Sequence, residues 1–367
     1  MCNMVRYPFR CPESQRNVSP QPPQRVALSQ VTGDPDFLVI MPTIRQVAER
    51  AKVSISTVSA VLNQSAYVSP ELTLRVEQAA RELRYTANAV ARGLQSQRTR
   101  LIGMLVPDIA EPVYSLMVQG VERSLRQAGY SLLLGSTHNR QREQSRYLGM
   151  LRSKQVDGML LLLGFGPEDE IAEAVESQLP LVFVAREPKS VAGDVVMVDN
   201  AEGARKGVAA LIARGHRRIG LVVGPRDLAV SRSRIDGWRA ALAQAGLGAD
   251  ESLICEGDYT DGSGRAALQK LLALREPPTA VFATGFLMMT GCLAECRALG
   301  LAVPSQLELM TWSDSPLLDV FDPPISSVEQ PSAEMGERAA ELILRRIANK
   351  DLPPQTIVLP THVRLRG

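Results

Sequence analysis

The segment Thr43–Asn63 constrains the fold of this chain more than any other part of the sequence. It contains two short helical patterns on either side of a tight turn. Apolar residues recur in each pattern at helical spacing, which gives each helix one face for a small core. These apolar positions are Ile44, Val47, Ala48, Val58, Val61 and Leu62. Thr43 and Ser54 stand just before the two patterns, where a side-chain oxygen caps the first free N–H groups of a helix.

A third helical pattern follows and completes a unit that is large enough for a small core. We expect Ser69 to cap this helix and Pro70 to take its first position, where the missing N–H of proline does no harm. One apolar stripe runs along the helix, at Leu72, Val76, Ala79, Ala80 and Leu83. The sequence therefore predicts a helix-turn-helix domain over residues 41–86.

The second helix has an outer side that is small and mostly polar. Its outward positions are Ile55, Ser56, Thr57, Ser59 and Ala60. Such a helix can enter the major groove of DNA and hydrogen-bond to phosphates and base edges. An ordinary helical hairpin without a ligand is the alternative interpretation.

The net charge of +2 hides an asymmetry along the chain. Residues 41–100 hold nine Lys or Arg against four Glu, whereas residues 101–367 carry a net charge of −4. A basic N-terminal module on an acidic body favours contact with DNA by one end of the molecule only. Chance clustering of exposed charge gives the same asymmetry, so the charge supports the motif and does not replace it.

From Leu101 onward, apolar strand-like runs alternate with helical patterns. This alternation predicts parallel sheets that are covered by helices on both faces. Ligands of such sheets bind beyond the carboxyl ends of the strands. The predicted strands are Leu101–Val106, Tyr130–Leu134, Gly158–Leu163, Leu181–Val184, Val195–Val198, Ile219–Val223, Ala280–Phe282 and Leu307–Thr311.

Several kinds of chemistry are poorly supplied by this sequence. Five cysteines form no C-x-x-C pair, and three histidines leave little material for a zinc site or a Ser-His-Asp triad. The sequence contains no phosphate-binding G-x-x-x-x-G-K-[ST] run. No apolar run approaches the ~18–20 residues that span a bilayer. We therefore expect no enzyme activity, no metal, no cofactor and no membrane partner.

An ordered set of segments resembles the LacI/GalR family of repressors. The matching segments are Thr43–Asn63, Tyr67–Ser69, Asn88–Arg92, Gly103–Pro107, Ala128–Gly135, Val156–Gly158, Ala213–Gly220 and Pro278–Ala283. The resemblance implies a small all-α helix-turn-helix DNA-binding domain with a hinge helix and linker at 87–100. It further implies a two-lobed α/β periplasmic-binding-protein-like (type I) domain at 101–367, which binds the effector and dimerises.

The resemblance also implies where DNA is contacted. It assigns DNA contacts to Thr43, Ser54, Ile55, Ser56, Thr57, Ser59, Ala60, Asn63, Tyr67, Asn88, Arg92 and Leu94. Paired hinge helices are expected to enter the minor groove, where Leu94 wedges between bases and kinks the duplex. The expected protein is a cytoplasmic homodimer that binds a pseudo-palindromic operator.

The DNA-binding module departs from the family pattern at three positions. Ala60 stands where relatives mostly carry Arg, and alanine has no donor for a guanine. Lys52 replaces the usual glycine of the turn. Gly93 replaces a more common serine, which costs the hinge helix up to ~1 kcal/mol relative to alanine.

Residues 1–40 are rich in proline and lack hydrophobic periodicity. Disorder is the default for a segment of this composition. Because proteins of the resembled family usually begin just before the equivalent of Thr43, we interpret this segment as an extension from a mis-called gene start. Met41 is then the expected true start.

The resemblance implies two lobes with three chain crossings and a cleft that holds a small effector. The predicted effector contacts are Val113, Tyr114, Phe165, Arg186, Arg234, Tyr259, Phe286 and Ser313. Arg234 matches the effector-binding arginine of the family, and Tyr259 stands where relatives place an aromatic ring against the ligand. The alternative for the loop-edge aromatics is that they only cover a core.

Three positions that are often acidic in relatives are uncharged here, namely Ala185, Phe286 and Ser313, while Arg186 and Arg234 remain. An arginine without neighbouring carboxylates is free to pair bidentately with an anion. We therefore predict a sugar acid or a sugar phosphate as effector. A more apolar effector and a decayed site are the alternatives for the cleft. For the whole chain, the alternative is a solute-binding protein without a DNA role.

Overall fold

The computed structural model of the protein describes residues 42–63, 66–85, 98–164, 178–188 and 191–366. The chain divides into two compact units, with the boundary between Ala87 and Asn88.

The first unit contains a three-helix domain. Its helices are α1 (Ile44–Ala51), α2 (Ile55–Asn63) and α3 (Pro70–Glu82). The buried core is built from small and β-branched side chains, namely Val47, Ala48, Ala51, Val58, Val76, Ala79 and Ala80. Because these residues are small, the three helices pack closely with few atoms. The predicted helix-turn-helix fold is confirmed.

The second unit consists of two lobes, each built on a six-stranded sheet. In lobe 1 the sheet order is β11-β5-β4-β3-β1-β2, and all of its strand pairs are parallel. The strands of lobe 1 are β1 (Leu101–Val106), β2 (Ser131–Ser136), β3 (Gly158–Leu161), β4 (Leu181–Val184), β5 (Asp194–Val198) and β11 (Thr356–Leu359).

The sheet of lobe 2 has the order β12-β10-β9-β8-β6-β7, with an antiparallel pair between β12 and β10 at one edge. Its strands are β6 (Ile219–Val223), β7 (Ile254–Glu256), β8 (Ala280–Ala283), β9 (Glu308–Trp312), β10 (Ser326–Glu329) and β12 (His362–Arg364). The α-helices in the described part of the second unit are α4 (Pro112–Gln127), α5 (Gln141–Ser153), α6 (Asn200–Ala213), α7 (Ala229–Gln244), α8 (Asp261–Leu272), α9 (Phe286–Leu299) and α10 (Ser332–Ala348).

The chain passes between the two lobes three times, from β5 to α6, from β10 to α10 and from β11 to β12. Each crossing carries a buried polar residue, and these are Asn200, Gln330 and Thr361. Buried polar groups need hydrogen-bond partners. The crossings therefore supply amide groups to the region between the lobes.

Helices α4 and α10 pack side by side on lobe 1 and approach each other unusually closely. A Cβ atom at Gly120 would lie 2.0 Å from the carbonyl oxygen of Ala333, and one at Gly336 would lie 2.1 Å from that of Met117. Only glycine permits such an approach between two backbones. The two glycines thus fix α10, which follows the second crossing, against α4.

The predicted alternation of strands and helices is confirmed, with two differences. The short strands β7, β10, β11 and β12 were not predicted from the sequence. The pair between β12 and β10 is antiparallel, so lobe 2 is a mixed sheet and not the purely parallel sheet that the alternation predicts. Mixed sheets with one antiparallel edge strand are common among folds of this kind.

Within the described residues, we find no helix that combines the length and the apolar character needed to cross a membrane.

Candidate functional site

The first turn of α1 is closed by a capping box. The backbone N–H of Gln46 donates to Oγ1 of Thr43 at 3.4 Å, and the backbone N–H of Thr43 donates to Oε1 of Gln46 at 2.7 Å. Two backbone groups that a helix normally leaves unpaired are thereby satisfied. The predicted cap at Thr43 is confirmed, whereas Ser69 makes no side-chain cap at the start of α3 and its predicted cap is wrong.

A cluster of hydroxyl groups lies at the start of α2. The backbone N–H of Thr57 donates to Oγ of Ser54 at 3.1 Å, so Ser54 caps this helix as predicted. The hydroxyl groups of Ser56 and Thr57 lie 2.7 and 2.8 Å from that same oxygen. Hydroxyl groups at an exposed helix start are suited to phosphate contact, which positions a protein on DNA.

The other predicted DNA contacts of this unit differ in exposure. Ile55 is 44% exposed and Tyr67 is 91% exposed. Ser59 and Ala60 are half-buried on α2. Isolated exposed apolar residues are common, so the exposure of Ile55 and Tyr67 is compatible with DNA contact without requiring it.

The turn between α1 and α2 is held by a residue of α3. Lys52 adopts left-handed backbone angles of φ 54° and ψ 48° at the end of α1. The Nη2 group of Arg75 donates to the carbonyl oxygens of Ala51 and Lys52 at 2.6 and 3.3 Å. A cation at a helix C-terminus also stabilises the helix dipole. Arg75 therefore fixes the turn that orients α2.

Some predicted contacts fall outside the part of the chain that is described. These are Asn88, Arg92, Leu94 and Phe165, together with the side chain of Asn63. Their roles stay predictions.

Between the two lobes lies a cleft at the carboxyl ends of the strands, which encloses a cavity of about 90 Å³. Several polar side chains from both lobes and from the crossings line it. They include Glu111, Asn139, Arg186, Asn200, Arg234 and Gln330. This is the position at which sheets of this type bind ligands.

Arg234 lies at the centre of the lobe 2 wall and is only 7% exposed. Its Nε group donates to Oδ1 of Asn200 at 2.9 Å, and one Nη group donates to the carbonyl oxygen of Thr284 at 2.7 Å. The guanidinium also lies 3.9 Å above the ring centre of Trp312. Burial lowers the pKa of Arg234 from its ordinary value. The cation is thus held in place by neutral partners.

A buried carboxylate faces this cation from the other lobe. Glu111 directly precedes α4 of lobe 1 and is 5% exposed. Its two carboxylate oxygens accept hydrogen bonds from the backbone N–H groups of Phe286 and Leu287 in lobe 2, at 2.9 and 3.2 Å. Burial raises the pKa of Glu111 to about 7, although these two hydrogen bonds oppose the rise.

Aromatic rings close the cleft on the lobe 2 side and beside α4. Tyr114 and Tyr259 both line the cavity, and burial raises the pKa of Tyr114. Tyr259 has a left-handed backbone with φ 64°. Its ring lies against Gly224, where a Cβ atom would approach a ring carbon to 2.2 Å. Gly224 therefore makes room for the ring.

Two further predicted contacts line the cavity from lobe 1. Val113 lies in the first turn of α4 and is buried. Arg186 follows β4, and one of its Nη groups donates to the carbonyl oxygen of Gly164 at 3.0 Å. The cleft therefore brings Val113, Tyr114, Arg186, Arg234 and Tyr259 together.

Phe286 and Ser313 do not line the cavity. The ring of Phe286 stacks on Phe321, with 6.1 Å between the ring centres, so it contributes its backbone N–H and not its ring surface to the cleft. Ser313 is fully buried and its Oγ accepts from the backbone N–H of Ser315 at 3.1 Å. Both side chains therefore lie outside the cavity lining, and their predicted contact with the effector stays a prediction.

The sequence patterns did not single out several lining residues. They are Glu111, Asn139, Asn200, Thr284 and Gln330. The strand-end rule points to Asn200, which follows the predicted strand β5, whereas Gln330 follows β10. Strand β10 itself was not predicted, so the rule had no strand end to start from at Gln330.

A helix-turn-helix unit joined to a two-lobed α/β unit with a polar cleft defines a ligand-responsive DNA-binding regulator. Comparison with known proteins agrees. Residues 43–88 match the model of bacterial regulatory proteins of the lacI family, and residues 208–367 match a periplasmic binding protein-like domain. The chain is 37% identical over 328 residues to the HTH-type transcriptional repressor PurR of Escherichia coli O139:H28, covering 89% of this chain and 95% of that protein.

Solved structures agree with the sequence comparison. A complex of the transcriptional regulator CelR with cellobiose matches with a TM-score of 0.67 and 35% identity, covering 89% of this chain and 99% of that one. A LacI family transcriptional regulator from Mycobacterium smegmatis matches with a TM-score of 0.66 and 26% identity, covering 72% and 97%. The chain belongs to the LacI family and is a DNA-binding transcriptional regulator.

Proposed function

We propose that the protein is a homodimeric repressor whose hold on a pseudo-palindromic operator is controlled by a small anionic effector. The outer face of α2 contacts the major groove, and the hinge segment 87–100 contacts the minor groove. The effector occupies the cleft between the two lobes. Because the target is DNA, the protein acts in the cytoplasm, and no catalytic step is assigned to it.

The observation that carries the anionic effector is the environment of Arg234. Among the described residues, no carboxylate forms a direct ion pair with this guanidinium, which is almost fully buried and interacts with Glu111 only through space. A buried charge is costly unless it is paired and hydrogen-bonded. An anionic ligand in the cleft supplies the missing charge and forms bidentate hydrogen bonds with the guanidinium.

The charge of the cleft supports the same class of ligand. Arg186 and Arg234 both line the cavity, and Glu111 is the carboxylate that lines it with them. Since burial raises the pKa of Glu111 to about 7, a sizeable part of its negative charge is already lost near neutral pH. Two guanidinium groups thus line the cavity, and a carboxylate or a phosphate on a sugar-sized ligand is complementary to them.

The position of the cavity links binding to movement. Its walls come from both lobes, with Tyr114 on lobe 1 and Arg234 on lobe 2. A ligand in the cavity therefore contacts both lobes, and its fit depends on the distance between them. A ligand that prefers one arrangement of the lobes shifts the protein toward that arrangement. This provides the conformational change that effector control requires.

A neutral saccharide is the second candidate effector. The relative CelR has been solved with cellobiose, and this chain is 35% identical to it. The cleft contains the rings of Tyr114, Tyr259 and Trp312 beside the amide groups of Asn200 and Gln330. Aromatic faces and amide groups together bind neutral polar ligands as well as charged ones.

Matched ligands separate the two candidates. Isothermal titration of the full chain with glucose, gluconate, glucose 6-phosphate and cellobiose tests charge against saccharide size. We expect binding by a charged member of the set and weaker binding, or none, by its neutral counterpart. Binding by neutral sugars alone rejects the anionic effector and selects the second candidate.

A variant tests the role of Arg234 in the same titration. Arg234→Ala should lower the affinity for the anionic ligand by about 2–5 kcal/mol, because it removes a desolvated charge partner. Arg239→Ala is the matched control, since Arg239 lies on the same helix but pairs with Glu251 at the surface. Equal affinity of Arg234→Ala and the wild type contradicts the assignment, provided that thermal unfolding shows both variants to be folded.

A further inference from the structure

Helix α9 of lobe 2 lacks an N-terminal cap of its own. Its N-cap residue is Gly285, which has no side chain, and its first turn contains no acidic residue. The first N–H groups of a helix have no partner within the helix and must find one elsewhere. When they are buried without a partner, each costs free energy comparable to a lost hydrogen bond. The cap of α9 must therefore come from outside the helix.

The cap comes from the opposite lobe. Glu111 accepts from the N–H groups of Phe286 and Leu287, one on each carboxylate oxygen. Although Glu111 is the N-cap residue of α4, its side chain makes no hydrogen bond within α4. The carboxylate thus serves the helix of the facing lobe. These two hydrogen bonds exist only while the lobes are close together, because Glu111 moves with lobe 1 and α9 moves with lobe 2.

We propose that Glu111 is a proton-responsive latch that joins the two lobes across the cleft and makes their closure depend on pH. The proposal concerns closure of the effector-free protein. It rests on the proposed function only for its regulatory consequence. If the effector prefers one arrangement of the lobes, its affinity changes with pH because the fraction of closed protein changes with pH.

The direction of the pH dependence follows from the surroundings of Glu111. In the closed cleft, burial raises the pKa of Glu111 from 4.5 to about 7. The facing groups are Asp108 on the loop after β1, which raises this pKa further, and Arg234 on α7, which lowers it. Tyr114 on α4 interacts with Glu111 as well, and burial keeps this phenol protonated because it raises the pKa.

When the lobes part, water reaches Glu111 and its pKa returns toward the ordinary value of 4.5. The closed state then binds the proton more tightly than the open state. Closure therefore takes up a proton, and acidification favours the closed state between pH 7 and pH 4.5. Within that window the ratio of closed to open protein rises by up to about tenfold for each pH unit lowered. Above the closed-state pKa, the carboxylate is ionised in both states and the ratio is constant.

Small-angle X-ray scattering of the effector-free full chain tests the latch. The radius of gyration of the wild type should decrease as the pH is lowered from 8 to 5.5. Glu111→Gln cannot titrate and retains one oxygen acceptor, so its radius of gyration should stay constant over the same range. Asp108→Asn removes a charge that raises the pKa of Glu111, so its transition should shift to lower pH.

Glu122→Gln is the matched control, because it removes a carboxylate from α4 that pairs at the surface with Arg126. This control should follow the wild-type curve.

Hydrogen exchange at the backbone amides of Phe286 and Leu287 gives a second readout. After correction for the intrinsic pH dependence of exchange, Glu111→Gln should lower the protection of these two amides. A pH-independent wild type, or a Glu111→Gln variant that keeps the wild-type response, overturns the latch. Should Glu111→Gln fail to fold, the shift expected for Asp108→Asn still decides. These measurements contain no effector, so failure of the anionic-effector proposal leaves them unaffected.

Discussion

Lys52 adopts a backbone conformation that is normally taken by glycine. Left-handed angles cost a residue with a Cβ atom about 1–2 kcal/mol, because the Cβ crowds the following carbonyl oxygen. The turn between α1 and α2 requires these angles, and Arg75 holds the turn through two carbonyl oxygens. The helix-turn-helix unit therefore keeps its geometry at the expense of local strain.

Replacing Lys52 with glycine should relieve this strain. We expect Lys52→Gly to raise the free energy of unfolding by about 0.5–1 kcal/mol, since glycine adopts the left-handed region readily but is also more flexible when unfolded. Lys154→Gly is the matched control, because Lys154 also ends a helix but has a right-handed φ of −82°. Chemical denaturation followed by circular dichroism should show a gain for the first variant and none for the second. Reduced stability of Lys52→Gly contradicts the strain at this turn.

The cleft shows which residues a sequence can place and which it cannot. Arg234 follows the predicted strand Ile219–Val223, so the strand-end rule could place it. Tyr259 follows β7, which the sequence does not predict, and only the family resemblance pointed to it. Ser313 also follows a strand, but consecutive residues point to opposite sides, and Trp312 takes the side that faces the cleft. The role of Glu111 could not be predicted from the sequence, because its hydrogen-bond partners lie in the other lobe, 175 residues away in the chain. Contacts across lobes have no local signal.

At the scale of helices and strands, predictability followed the length and burial of each element. The strands β1, β4 and β6 are buried apolar runs, and their predicted bounds agree with the structure. The strands β11 and β12 lie at sheet edges, are only four and three residues long, and alternate between exposed and half-buried residues, so neither is the fully buried run by which a strand is recognised. An edge strand is defined by its neighbour more than by its own composition.

Two of the predicted N-caps of the first unit give an element-scale prediction. The sequence predicts a cap at both Thr43 and Ser69, but only Thr43 forms a side-chain cap in the structure. Thr43→Ala should therefore lower the free energy of unfolding by about 1 kcal/mol, whereas Ser69→Ala should change it little. Thermal unfolding of the two variants under identical conditions tests this difference. Equal losses argue against the capping box as the source of stability in α1.

At the scale of the whole molecule, the boundary between Ala87 and Asn88 separates the unit that contains the helix-turn-helix from the unit that contains the cleft. Each unit has its own buried core. A fragment that lacks residues 1–100 should therefore bind the effector with the affinity of the full chain and fail to bind the operator. Calorimetry and gel-shift assays measure the two affinities. Specific operator binding by the fragment contradicts the assignment of DNA recognition to the first unit.

Coupling between the two units is subject to a thermodynamic constraint that is independent of the direction of regulation. If the effector changes operator affinity by a given factor, the operator must change effector affinity by the same factor. We expect this factor to lie between about 5 and 150, the usual range for coupled binding sites.

Two titrations of the full chain measure this factor. Titrating the effector with and without saturating operator gives the change in effector affinity, and titrating the operator with and without effector gives the change in operator affinity. The fragment without residues 1–100 is the control, because adding operator DNA should leave its effector affinity unchanged. Equal effector affinities of the full chain with and without operator mean that the cleft does not control DNA binding, whichever ligand it holds.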